Sequence, residues 1–120
     1  FGFPESVVGE TCADIFNDKV VRSTMGSIFH TRFRMAADLE AELRGLKSEY
    51  RIVTADIGGE DYRELDRSGK SIYVFSNEAR GPSDAILGLT DKVVTIPGYG
   101  RAESLNVSCA AAVIMASARA

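Results

Sequence analysis

Short runs of apolar residues, bounded by Gly, Pro, Asn or Asp, recur along the chain and are typical of β-strands. They are rich in the β-branched and aromatic side chains that strands favour. These runs predict strands at residues 6–8, 28–31, 51–55, 71–76 and 92–96. Several of them are short, and the second is the weakest of the five.

Helical spacing separates these runs. Residues 36–46 place Leu39, Leu43 and Leu46 on one face and charged side chains elsewhere, which predicts an amphipathic helix. The triplet Pro82-Ser83-Asp84 predicts the start of another helix, because serine and aspartate accept hydrogen bonds from free first-turn amides. Strands that alternate with helices predict an α/β domain with a mostly parallel sheet and flanking helices.

The last predicted helix, at residues 105–118, is unusual in composition. It is rich in alanine and nearly free of charge, and Ser104 is placed to cap its first turn. A helix that is apolar on most sides must be buried. We therefore expect it to lie in the core of the sheet or against a partner chain.

Length and charge limit the function classes. A chain of 120 residues fits one domain, residues 1–120, and a net charge of −3 argues against binding of nucleic acid by bulk charge alone. One local basic excess, interleaved with phenylalanines, could bind phosphate and stack on unpaired bases. Its candidate RNA-binding residues are Arg22, Arg32 and Arg34. The alternative is a solvated face beside two core phenylalanines.

The cysteines and the apolar runs bear on location and metal binding. Cys12 and Cys109 lie far apart, and the chain has one histidine, so neither a zinc site nor a disulfide framework is indicated. We expect no metal and a reducing cytoplasm. The longest apolar run, at residues 107–118, is too short to span a bilayer, so no membrane partner is expected.

Two glycine-containing loops carry the candidate chemistry. One is Ser76-Asn77-Glu78-Ala79-Arg80-Gly81, and the other is Ile96-Pro97-Gly98-Tyr99-Gly100, which leads into Ser104-Leu105-Asn106-Val107-Ser108. Each follows a predicted strand, and ligands bind beyond the carboxyl ends of parallel strands. The loops would lie side by side if the strands at 71–76 and 92–96 are neighbours. Ile96, Leu105, Thr54 and Ala55 could then line an apolar slot for an adenine ring.

The order and spacing of these two loops closely resemble motifs 2 and 3 of the SpoU/TrmH branch of the SPOUT RNA methyltransferases. The segment Val21-Arg22-Ser23-Thr24-Met25-Gly26-Ser27 is similar to a recurrent R-x-S-x-G-A segment of that family, and Phe1-Gly2-Phe3 resembles the segment just after motif 1. The resemblance implies a knotted α/β fold, S-adenosylmethionine as cofactor and a homodimer. We expect the N-terminal part of the domain, with the motif 1 arginine to which the family assigns the proton, to be missing from residues 1–120.

The resemblance also assigns site residues. Glu78 matches the motif 2 glutamate and Asn106 the motif 3 asparagine, which the family uses near the reacting groups. Taken singly, they could equally be a loop carboxylate and a helix-capping amide. The expected cofactor-binding residues are Thr54, Ala55, Ser76, Asn77, Gly81, Ile96, Gly98, Ser104 and Leu105. Ser76 and Ala79 stand where the family commonly has glycine, and Gly98-Tyr99 replaces the usual Met-x, so the substrate stays open.

The function predicted from these residues is S-adenosylmethionine-dependent methylation of RNA at a ribose 2′-hydroxyl, with rRNA or tRNA as partner. Two alternatives stay open. One is a catalytically silent module that binds cofactor or RNA. The other is an enzyme that methylates a base nitrogen.

Overall fold

The computed structural model describes residues 1–101 and 104–119, which contain five strands and four α-helices. The strands are β1 (Ser6–Gly9), β2 (Phe33–Ala36), β3 (Arg51–Asp61), β4 (Ser71–Val74) and β5 (Lys92–Thr95). The helices are α1 (Asp18–Ser23), α2 (Leu39–Leu46), α3 (Asp84–Leu89) and α4 (Val107–Ser117). Two short 3₁₀ helices lie at Ser27–His30 and Tyr62–Glu64. Among the described residues, no helix is long and apolar enough to cross a membrane.

The chain divides into two compact units, Gly2–Glu42 and a larger one from Leu43 onward. In the smaller unit, β1 and β2 form a parallel pair in which Ser6 is aligned with Phe33. The strand predicted at residues 28–31 is wrong, because these residues lie mainly in the 3₁₀ helix that follows Gly26, whose φ is 88°. A short apolar run does not distinguish a strand from a buried helical turn.

Two helices in the same region also differ from the prediction. α1 was not predicted, and it is capped by Asn17, whose side chain accepts a hydrogen bond from the amide of Lys19. α2 begins at Leu39 rather than at residue 36, because Ala36 is the last residue of β2. The Asp38 carboxylate accepts a hydrogen bond from the amide of Ala41, so the helix starts where a cap is available.

The larger unit contains a parallel sheet in the order β4-β3-β5. The α/β prediction with a mostly parallel sheet is therefore confirmed. The condition that the strands at 71–76 and 92–96 are neighbours is not met, since β3 lies between them. β3 is apolar and fully buried over Ile52 and Val53, which suits a central strand covered on both faces.

Alternation along β3 divides its side chains between the two faces of the sheet. Val53 packs with Val94 of β5 and Ile114 of α4 in the core. Thr54 points to the other face, where its hydroxyl lies 2.7 Å from that of Thr90 at the end of α3. The α4 face therefore contains an apolar core cluster, and the α3 face contains a pair of hydroxyls in which Thr54 is fully buried.

β3 passes β5 at very close range near its end. The pairing shifts register between Ala55 and Glu60, which are both aligned with Val94, so residues 56–59 form an excursion from the ladder. A Cβ added to Gly59 would lie 2.5 Å from the carbonyl carbon of Val94 and 2.6 Å from its nitrogen. Only glycine fits here without a shift of the backbone.

α4 begins at Val107, not at residue 105, and its N-cap is Asn106, so the prediction of Ser104 as the cap is wrong. Asn106 accepts a hydrogen bond from the amide of Ser108 at 2.9 Å. α3 begins as predicted, with Ser83 accepting from the amide of Ile86. Within the chain, α4 is covered mainly through Ile114, and Val113 remains 38% exposed.

Candidate functional site

A pocket of about 850 Å³ lies at the carboxyl ends of the three strands of the larger unit. Its walls come from residues 55–57 in the middle of β3, the segment after β4, the segment after β5 and the first turns of α4. Both loops singled out in the sequence line it, although their strands are not neighbours. Its size suits a small-molecule ligand, and it occupies the place where parallel α/β sheets bind ligands.

The loop after β4, residues 76–81, is shaped by Asn77. Its side-chain oxygen accepts a hydrogen bond from the amide of Ala79 at 2.9 Å, and its carbonyl accepts from the amide of Gly81 at 2.8 Å. Gly81 has a φ of 66°, a conformation that favours glycine. These bonds form a tight turn, and the residues of this turn line the pocket.

Asp56 is a pocket residue that the sequence analysis missed. It directly follows the buried run of β3, its carboxylate accepts a hydrogen bond from the amide of Ile57, and it lies beside Gly81. A Cβ on Gly81 would lie 3.9 Å from an Asp56 oxygen, so any side chain there would enter the space beside the carboxylate. A polar residue at the carboxyl end of a buried strand is the signal that would have identified it.

The loop after β5 presents Tyr99, whose side chain is 88% exposed. Its hydroxyl accepts a hydrogen bond from Nη2 of Arg63 at 3.1 Å. Nε of Arg63 in turn donates to both carboxylate oxygens of Asp61 at the end of β3, at 2.9 and 3.0 Å. These side-chain hydrogen bonds from Arg63 lower the pKa of Asp61, so that carboxylate stays ionised and holds the guanidinium in place.

Asn106 lies at the start of α4, beside the pocket residues Leu105 and Val107 but not among the residues that line the pocket. Its side-chain oxygen is used by the cap on Ser108. The capping interpretation of this residue is therefore confirmed. The amide NH₂ makes no hydrogen bond among the described residues, so its two donors are free to meet a ligand.

The pocket brings together most of the residues predicted to form the site. Those that line it are Ala55, Ser76, Asn77, Glu78, Gly81, Ile96, Gly98, Ser104 and Leu105. Thr54 does not line it, because alternation along β3 turns its side chain to the α3 face, where it is fully buried. Sequence spacing alone could not show which of Thr54 and Ala55 points toward the pocket.

The three predicted RNA-binding arginines lie in the smaller unit and differ in their surroundings. Arg34 is engaged with two carboxylates, Glu5 at 3.3 Å and Glu42, and hydrogen bonds to them raise its pKa. Arg22 and Arg32 are exposed, and among the described residues their side chains form no ion pair. The exposure of Arg22 and Arg32 favours them over Arg34 as contacts for phosphate.

Comparison with known proteins identifies relatives of the chain. The model of the SpoU rRNA Methylase family matches residues 1–116. The chain is similar to the 23S rRNA (guanosine(2553)-2'-O)-methyltransferase RlmP of Bacillus subtilis, 38% identical over 95% of this chain and 46% of the relative. It is also similar to a tRNA (guanosine(18)-2'-O)-methyltransferase of Thermus thermophilus, 38% identical over 72% of this chain and 46% of the relative. The chain spans about half the length of the curated relatives it matches.

A solved structure has the same fold. The SpoU methyltransferase AviRb from Streptomyces viridochromogenes, in complex with the cofactor AdoMet, superposes with a TM-score of 0.88 at 28% identity, over 98% of this chain and 47% of that one. The family match and the structural match each cover nearly the whole chain. The chain thus belongs to the SpoU rRNA Methylase family.

Proposed function

We propose that the protein is an S-adenosylmethionine-dependent RNA methyltransferase that acts at a ribose 2′-hydroxyl of rRNA or tRNA. The proposal rests on one observation. The two loops and residues 55–57 of β3 line the same pocket. In this proposal, residues 1–120 form one cofactor-binding methyltransferase domain of a cytoplasmic enzyme. The two relatives, an rRNA and a tRNA 2'-O-methyltransferase, support both classes of substrate and favour ribose over base.

The residues of the pocket fit S-adenosylmethionine. Ile96, Leu105 and Ile114 supply apolar surface for an adenine ring, and the backbone of residues 76–81 supplies polar groups at the edge of the same space. Asp56 adds a carboxylate that would suit the positive charge of the cofactor. When bound, S-adenosylmethionine supplies a methyl group on a positively charged sulfur, which a hydroxyl oxygen can accept.

The side chains of the chain then act by alignment. A ribose hydroxyl is a weak nucleophile at neutral pH, so the geometry of its approach and the position of its proton govern the rate. Asn106 can donate its free amide hydrogens to a ribose oxygen while its own oxygen keeps the cap on α4. Glu78 lines the pocket with an exposed carboxylate that can accept a hydrogen bond from the substrate or orient a cationic side chain.

The test uses the complete protein and separates capping from catalysis. Asn106→Ala removes both cap and amide, and Asn106→Asp keeps an oxygen for the cap but removes the donors. We expect Asn106→Ala to cost about 1 kcal/mol of stability and Asn106→Asp to cost little. Both should lower methyl transfer on the order of 10²-fold, because misplacing the ribose by about 1 Å has that effect.

Methyl transfer is measured as incorporation of labelled methyl into total RNA from a strain that lacks the enzyme, and stability as urea unfolding. Glu78→Ala and Glu78→Gln test the role of the Glu78 carboxylate in the same two assays. If both Asn106 variants methylate RNA at the wild-type rate, the assignment of Asn106 is wrong. If the wild-type protein methylates no RNA and binds no S-adenosylhomocysteine, the proposed function itself is wrong.

The proposal includes a homodimer. α4 consists almost entirely of small and apolar residues, yet Cys109, Ala112, Val113 and Ala116 are exposed within the chain. An exposed apolar surface of this kind is typical of a subunit contact. Sedimentation equilibrium of the complete protein should return a dimer at micromolar concentration, and a monomer would contradict this part of the proposal.

A further inference from the structure

An exposed aromatic ring stands at the edge of the candidate cofactor pocket. Tyr99 lines the pocket, yet its side chain is 88% exposed, so it adds little to the pocket walls. It lies between Gly98 and Gly100, whose backbones restrain it weakly. An aromatic ring with uncovered faces can stack on another flat ring, and every nucleobase offers one.

The ring is held in position from outside its own loop. Arg63 donates a hydrogen bond to the Tyr99 hydroxyl at 3.1 Å, and Asp61 fixes the guanidinium through both carboxylate oxygens. Asp61 also accepts a hydrogen bond from the amide of Arg63 at 3.0 Å, so this support is anchored in the backbone at the end of β3. A side chain that is already restrained loses less conformational entropy when it binds.

A guanidinium lines the same pocket. Arg80 is exposed, and among the described residues its side chain has no hydrogen bond or ion pair. Arg34 and Arg63, by contrast, are both paired with carboxylates. An arginine without a carboxylate partner is available to a phosphate, which it can bind through two parallel hydrogen bonds.

We propose that Tyr99 and Arg80 bind an unpaired nucleotide of the RNA at the mouth of the pocket, the ring stacking on a base and the guanidinium binding a phosphate. This inference rests on the proposed function and names residues that select its substrate. A single-stranded or looped RNA fits because bases in a duplex are already stacked. Among the described residues that line this pocket, Arg80 carries a positive charge, whereas Asp56 and Glu78 would repel phosphate.

The experiment uses the complete protein with Tyr99→Ala, Tyr99→Phe and Arg80→Gln, and with Arg44→Gln as a control, since Arg44 is an exposed arginine outside the pocket. Binding of total tRNA and of total rRNA from a strain lacking the enzyme is measured by filter binding at several salt concentrations. Binding of S-adenosylhomocysteine is measured by calorimetry, and methyl transfer by label incorporation against RNA concentration.

Tyr99→Ala should weaken RNA binding about 5- to 150-fold, the range for one lost base stack, and raise the apparent KM for RNA. Tyr99→Phe keeps the ring and should stay within about threefold of the wild type. Arg80→Gln should reduce the slope of log K against log salt by about 0.7 to 1, as expected for one lost phosphate contact. Arg44→Gln should change neither property nor the affinity for S-adenosylhomocysteine, and in Tyr99→Ala and Arg80→Gln the loss of RNA affinity should exceed any loss of S-adenosylhomocysteine affinity.

Three results would overturn the inference. If Tyr99→Ala binds RNA as tightly as the wild type, the Tyr99 ring does not stack on a base. An equal loss of affinity for S-adenosylhomocysteine makes Tyr99 a wall of the cofactor pocket, and dissociation of a dimer by Tyr99→Ala makes the ring a subunit contact. If the wild type binds RNA through Tyr99 but neither transfers a methyl group nor binds S-adenosylhomocysteine, the inference about RNA binding stands and the proposed function fails.

Discussion

Gly59 provides a sharp test of the fold around the pocket. Substituting alanine would place a Cβ 2.5 to 2.7 Å from three backbone atoms of Val93 and Val94, whereas ordinary contacts are about 3.4 to 4 Å. These atoms belong to the backbone of β5, so no side-chain rotation can relieve the overlap. The strands would have to separate by roughly 1 Å, at the cost of core packing and ladder hydrogen bonds.

We expect Gly59→Ala to destabilise the protein by about 1–3 kcal/mol or more, the range for overpacking a close contact. Gly58→Ala is the matched control, because the same atom at Gly58 would meet nothing within 4 Å. There the loss of backbone freedom in the unfolded chain should make alanine neutral or stabilising by up to about 1 kcal/mol. Since Val94 also lines the pocket, Gly59→Ala should weaken binding of S-adenosylhomocysteine as well.

Urea unfolding of the complete protein, followed by circular dichroism, measures both variants against the wild type. The difference in unfolding free energy between Gly59→Ala and Gly58→Ala isolates the close approach, because both changes add the same methyl group to neighbouring residues. If the two variants unfold within about 0.5 kcal/mol of each other, the reasoning from the β3–β5 contact is refuted.

Three further predictions concern other parts of the chain. Thr54→Val removes the hydrogen bond between the Thr54 and Thr90 hydroxyls and should lower stability by about 1 kcal/mol. The affinity for S-adenosylhomocysteine, measured by calorimetry, should not change, and weaker binding would contradict the placement of Thr54 away from the pocket. A hydrogen bond from Lys47 lowers the pKa of Asp91, so its stabilisation is present above about pH 4 and is lost as the pH falls through the lower folded-state pKa. The stability gap between wild type and Asp91→Asn in urea should therefore shrink below pH 4, and a constant gap would exclude this role. Both cysteines are free and exposed within the chain, so in the proposed dimer a thiol reagent should label Cys12 faster than Cys109, and equal rates would argue against burial of α4.

The sequence predicted the strands of the larger unit because their apolar runs are bounded by polar residues or glycine, and the run of β3 is buried on both faces. It also located the pocket, since loops that follow parallel strands meet at one edge of the sheet whatever the order of the strands. The order of the strands could not be predicted. Two arrangements are compatible with the local pattern: β4 could lie beside β5, or β3 could lie between them. Long-range pairing of the strands decides in favour of the second.

The errors in the smaller unit have a local cause. Residues 28–31 contain too few apolar positions to fix a period, and the backbone there is set by turns at Met25 and Gly26, both with positive φ. The sequence also could not show to which face of the sheet each side chain of β3 points. Thr54 and Ala55 are neighbours in sequence and lie on opposite faces of β3, and only the packing of α4 on one face decides which of them lines the pocket.

The all-parallel pairing of the strands also determines when the pocket can form during synthesis. Val53 pairs with Lys92, about 40 positions further along the chain, and no pair of strands among the described residues is a hairpin that could form early. A ribosome that adds about 5–20 residues per second would leave the apolar residues of β3 without their β5 partner for several seconds. Until β5 and α4 have emerged, the nascent chain exposes an unpaired strand edge, and chaperone binding at that stage would protect it from aggregation.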